Sequence, residues 1–218
     1  MAITMKQYIT ILIICIGLTT FPGYCQPASM LLTSSGDGGS SVSSDATFGY
    51  DFTVGATSLE VLALGLYDQD LDGFFEAHDV SLWTQSGTLL GRVTIPSGSL
   101  TPLDGEFRYI QLSTPVTLAA RQSYVLGAFY PTTADWFIVD SPDQANAIFS
   151  PLAVFGGTAS IGGSGFPVLS GPDLFAGPNM EFTATPEPSS LMLAVAGALV
   201  VLAFNALKHR SSLRIVRR

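Results

Sequence analysis

The sequence predicts an all-β protein, an antiparallel β-sandwich or jelly roll, carried between two apolar termini. Three observations predict it. Between residues 46 and 184, short runs rich in Val, Leu, Ile, Tyr and Phe alternate with polar residues. Gly, Pro, Ser and Asp punctuate these runs at regular spacing, as turns do in sandwiches. No stretch between the termini carries the 3.6-residue apolar period of a helix.

The elements follow in chain order. Residues 1–25 have the form of a secretory signal peptide: Lys6, an apolar run from Tyr8 to Phe21, then Pro22 and Gly23 with small residues after them. Residues 26–45 are Ser- and Gly-rich and read as a linker. The domain proper is placed at 46–184. Leu59 to Tyr67 is an apolar run of strand length. Val80 to Thr84 alternates and, through the turn signal Ser86-Gly87, pairs with Leu89 to Ile95 as a hairpin. Phe107 to Leu112 alternates again, and Gln122 to Tyr130 is rich in Tyr, Val, Leu and Phe. Trp136 to Val139, Ala145 to Phe149 and Met180 to Thr183 are shorter candidates. Gly156 to Gly177 reads as a long loop before the last strand. Residues 185–218 form a tail: Thr185-Pro186-Glu187-Pro188-Ser189, a transmembrane helix at 190–207 and a basic end at 208–218. Its apolar run from Leu191 to Leu207 spans about 25 Å as a helix, close to a hydrocarbon core of roughly 30 Å.

Charge divides the chain the same way. All 17 acidic residues lie between Asp37 and Glu187, where Arg92, Arg108 and Arg121 are the only basic ones. A net charge of −8 argues against nucleic acid as a partner. The basic end should remain cytoplasmic, which leaves the domain outside. Both cysteines, Cys15 and Cys25, fall in the signal, so a chain cut after Cys25 has no disulfide and must rely on its core or on a bound ion.

One segment carries chemistry. Asp68-Gln69-Asp70-Leu71-Asp72-Gly73 is a D-x-D-x-D-G loop, with carboxylates on alternate residues and a glycine for the sharp turn. Asp68, Asp70, Asp72, the Phe74 carbonyl, and Glu76 or Asp79 are therefore candidate calcium ligands. Asp79 stands where an EF-hand has Glu, and the flanks are strands, so the alternatives are a calcium loop between strands and a solvated acidic turn. His78 reads as a packing or hydrogen-bonding residue. Trp83 and Trp136 are candidates for stacking on sugars, the other reading being sandwich core. Catalysis has little support. His78 is the one histidine of the exported part, and G-x-S-x-G, H-E-x-x-H and any lysine between Lys6 and Lys208 are lacking. The expectation is a protein that is not an enzyme.

Two resemblances add to this. Pro186-Glu187-Pro188-Ser189, an apolar helix and a basic terminus resemble the PEP-CTERM sorting signal of Gram-negative bacteria, over about a sixth of the chain. The resemblance implies that Pro186, Glu187 and Pro188 are recognised by an exosortase, a membrane cysteine transpeptidase. It implies an inner-membrane single-pass precursor, anchored transiently and then passed to the cell surface or matrix, in company with exopolysaccharide and biofilm. The cadence of Leu62 to Asp68, His78 to Trp83, Gly87 to Leu90, Phe107 to Tyr109, Thr114 to Leu118 and Ser123 to Ala128 resembles an uncharacterised β-sandwich module of bacterial surface proteins. The implied role is structural or adhesive. The alternatives are a carbohydrate-binding module and, behind it, a glycan-active enzyme.

Overall fold

A computed structural model describes residues 28–33, 39–41, 44–141 and 149–185, with four helical positions, Gly197, Leu199, Val200 and Leu202. The protein is all-β among these residues, apart from those four positions, and every strand pair is antiparallel. In chain order the strands are β1 (Ser29–Met30), β2 (Gly39–Ser41), β3 (Ala46–Val54), β4 (Leu59–Tyr67), β5 (His78–Thr84), β6 (Leu89–Ile95), β7 (Leu103–Asp104), β8 (Phe107–Leu118), β9 (Ser123–Tyr130), β10 (Phe137–Asp140), β11 (Ala153–Gly162), β12 (Val168–Gly171), β13 (Leu174–Ala176) and β14 (Pro178–Ala184). They form sheets of order β1-β14-β4-β8-β7, β12-β11-β3-β9-β5-β6 and β13-β10-β2.

Alternation explains how the sheets meet. On β3, Tyr50, Phe52 and Val54 enter the core, and so do Val80 and Leu82 on β5 and Tyr124, Leu126 and Ala128 on β9. From the other large sheet come Leu59, Val61, Leu64 and Leu66 of β4. The inward parity of β4 changes from odd to even at a bulge near Val61, where its register with β8 shifts. All of these residues share one core, a sandwich-like packing of two sheets.

The stretch 26–45 departs from the expected linker. Ser29–Met30 is an edge strand on β14, and Leu31 and Leu32 are fully buried. The physical reason is that their backbone has partners. Leu31 N–H donates to the Met180 carbonyl (3.0 Å), and Ser150 N–H donates to the Leu31 carbonyl (2.8 Å). The buried Asn179 serves Leu32 twice, with Oδ1 accepting its N–H (2.9 Å) and Nδ2 donating to its carbonyl (3.0 Å).

The loop expected at Gly156 to Gly177 is mostly strand. β11 pairs along the whole of β3, then β12 and β13 follow. Gly156 and Gly157 are needed for close approach. A Cβ on Gly156 would strike the Asp51 carboxylate, and one on Gly157 would lie 2.8 Å from the Gly171 carbonyl oxygen. Burial raises the Asp51 carboxyl above its ordinary range, partly offset by hydrogen bonds from backbone N–H groups of Asp51 and Gly157.

Other expected strands hold, notably β4, β5, β6, β9 and β14, with β8 running on to Leu118. Of Ala145 to Phe149 only Phe149 is described, as a bridge to Leu32. The expected signal peptide and Pro186, Glu187 and Pro188 lie outside the described residues, as does most of the expected membrane span. Among the described residues no helix is long and apolar enough to cross a membrane.

Registers place the ends of the domain. Ser29 pairs with Phe182, and Ala184 with Leu59, so the chain enters and leaves at the same end of one sheet. The loop after Tyr67 lies at the opposite end, about 30 Å away along β4. Asn179→Ala strips both polar groups of Leu32 of their partner. It should cost about 3 kcal/mol, read as a lower urea midpoint with an unchanged slope.

Candidate functional site

Three loops meet at that far end: residues 68–77 between β4 and β5, 96–102 after β6, and 131–136 after β9. Arg108, near the start of β8, draws the first two together. Its Nε donates to Asp68 Oδ2 (2.6 Å), Nη2 to the Leu71 carbonyl (3.0 Å), and Nη1 to the carbonyls of Ser99 (2.8 Å) and Thr101 (2.7 Å). Both partners of the pair are buried. Asp68 Oδ2 also accepts the N–H of Gly73 (3.0 Å), which closes the acidic turn. Leu71 and Gly73 both have positive φ, 60° and 105°. Gly73 lies against the Gly98 backbone, with no room for a side chain there.

Asp135 is the second fastener. Its Oδ1 accepts the N–H of Phe75 (3.1 Å), and its Oδ2 accepts the N–H of Glu76 (3.3 Å). His78 Nε2 lies 2.8 Å from the same Oδ2, and His78 Nδ1 lies 3.0 Å from the Phe129 carbonyl oxygen. Burial works to raise the Asp135 carboxyl, but the His78 and backbone hydrogen bonds, with the attraction of His78, hold it below its ordinary range. Glu76 Oε1 accepts from both the N–H (2.8 Å) and the hydroxyl (2.9 Å) of Thr132. The imidazole of His78 is fully buried, edge-on to Phe74 and Tyr130.

The six calcium candidates are not one ligand set. Asp68, Asp70, Asp72 and Phe74 line a cavity of about 20 Å³ with Phe75, Asp135 and Trp136. Within it the Asp68 charge is already balanced by Arg108, and the Phe74 carbonyl accepts the N–H of Gly98 (2.7 Å). Glu76 turns to Thr132. Asp79 alternates with His78 and so lies on the outer face of β5, where Oδ1 accepts from the Thr94 hydroxyl (2.6 Å). Asp70 and Asp72 have no hydrogen-bond or ion-pair partner among the described residues.

The tryptophans divide as well. Trp83 is buried in a second small cluster with Val125 and Ala159, edge-on to Phe166, and offers no face to a sugar. Trp136 is 42% exposed and Phe75 76% exposed, at the rim of the cavity. The sequence reading missed Arg108 and Asp135. The available signal was scarcity: Arg108 is one of three basic residues in a strongly acidic stretch, so a buried role for it was open to inference.

Removing the guanidinium isolates a buried carboxylate. Arg108→Met should therefore lower stability by about 3–5 kcal/mol, and Asp68→Leu in the same chain should recover most of the loss. A denaturation double-mutant cycle checks this, with additive losses as the contrary result.

Among curated proteins none matches the chain. A family model, described as a domain of unknown function (DUF4082), matches residues 34–171. The match takes in β2 to β12 and all three loops of the far end, and stops short of β13 and β14, although β14 lies next to β4 in the sheet. Because it covers more than half of the sequence, the chain belongs to the DUF4082 family.

Proposed function

We propose that this chain is an exported surface or matrix protein, a β-sandwich held between an N-terminal export signal and a PEP-CTERM sorting tail. Its role is structural or adhesive and not enzymatic. The precursor crosses the inner membrane once, the domain stands outside, and an exosortase processes the tail at Pro186-Glu187-Pro188. The mature protein then keeps company with exopolysaccharide.

The observation that carries this reading is the pairing of Ser29 with Phe182. It brings both ends of the domain to one end of a sheet, so an apolar run before and one after can reach the same membrane. Thr185, the last described residue of the body, is held there by its N–H to the Ser58 carbonyl (2.8 Å). The loops with Asp68, Asp135 and Trp136 then face away from the bilayer. Asp70 and Asp72 are the free donors left to a calcium ion in that position.

Replacing Pro186, Glu187 and Pro188 with alanine should leave the full-length protein in the membrane fraction, while the native chain is released. Equal release of both would contradict the sorting role.

The exposure of Trp136 beside an acidic cavity favours one second reading, a carbohydrate-binding module. On that reading Trp136→Ala abolishes saturable binding to the host polysaccharide without lowering the melting temperature. Binding unaffected by the substitution counts against it.

A further inference from the structure

We propose that Glu76, His78 and Asp135 form a site for one divalent first-row transition ion, such as zinc. This goes beyond the surface reading and does not depend on it. The argument starts from the imidazole. A carbonyl oxygen only accepts, so the 3.0 Å contact with Phe129 places a proton on His78 Nδ1. Nε2, 2.8 Å from Asp135 Oδ2, then either donates a proton to that oxygen or, without the proton, has a lone pair to offer. Two basic atoms at that distance need a positive centre between or beside them. A proton supplies it in one state of the protein, and a metal ion in the other.

The surroundings suit the metal. The ligand atoms of Glu76, His78 and Asp135 all lie within 4.8 Å of one another. With bonds of about 2.1 Å, ligand atoms 2.8 Å apart subtend roughly 85° at the ion. That is the cis angle of a five- or six-coordinate ion. Every ligand is braced by a second bond. The backbone carbonyl of Phe129 orients His78, as carbonyls do for metal-bound imidazoles, while Phe75 N–H holds the second oxygen of Asp135 and Thr132 holds one oxygen of Glu76. Mixed imidazole and carboxylate donors select a transition ion over calcium. The site is separate in composition from the acidic turn, whose Asp70 and Asp72 take no part in it. Bound there, the ion joins the start of β5 to the loop after β9, a crosslink in a domain without cysteine.

The test uses the full chain in detergent, stripped with chelator and titrated with zinc chloride by calorimetry and by thermal melting. One ion should bind per chain, with a rise in melting temperature. Glu76→Gln keeps an acceptor for Thr132 but is a poorer ligand. It should melt like the native chain in chelator and bind zinc at least tenfold more weakly. His209→Ala removes the other histidine of the chain and should leave binding intact. No saturable uptake, unchanged affinity in Glu76→Gln, or loss of binding in His209→Ala would overturn the proposal. So would a response to calcium alone, which belongs to Asp70 and Asp72.

Discussion

The buried pair between Asp68 and Arg108 is the interaction on which the far end of this protein depends. Neither charge can be buried alone, since an unpaired carboxylate or guanidinium in that setting costs several kcal/mol. Paired, they leave the other guanidinium N–H groups to the carbonyls of Leu71, Ser99 and Thr101, which have no sheet partners of their own. The loop with the calcium-like spacing thus closes on a side-chain cation from a neighbouring strand. Its first carboxylate is used up in the fold.

Other acidic residues serve in the same way. Asp135 takes the backbone N–H groups of Phe75 and Glu76, Glu76 takes that of Thr132, and Asp140 takes that of Ser141 (2.9 Å). Each is a charge-assisted bond to a backbone group outside any ladder. In a domain that holds no cysteine, carboxylates do the fastening that disulfides do in many exported proteins. This changes how the acidic character of the domain is to be read. Part of it belongs to the architecture of the loops, and Asp70 and Asp72 are the carboxylates of the acidic turn that take no part in this fastening.

The two ends of the domain are unlike. At one, β1 and β14 bring the entry and the exit of the chain side by side, secured by Leu31, Leu32 and Asn179 inside the core. At the other, hydrogen-bonded loops present Phe75 and Trp136 around a small acidic cavity. A strand length of about 30 Å separates them. The sequence limits of the DUF4082 match do not follow this division, because β14 completes the sheet from beyond them.

Much of the fold was legible in the residues. Alternation is a local property, so Val80 to Thr84, Leu89 to Ile95 and Gln122 to Tyr130 announced strands and the turn at Gly87 announced a hairpin. Gly73 in a run of aspartates likewise marked a sharp acidic turn. The segment from β11 to β13 was not legible, because Gly156 and Gly157 answer to Asp51 and Gly171, which are neighbours only once the sheet has formed. Leu31 and Leu32 looked like linker for the same reason, as their partners are Asn179 and Met180. The site followed this pattern. Composition determined that the segment from Asp68 to Asp79 would be acidic, bent and exposed in part. Which carboxylate is buried against Arg108, and that His78 meets Asp135 from 57 residues away, was decided by strand order, since β8 lies beside β4 in one sheet and β9 beside β5 in the other.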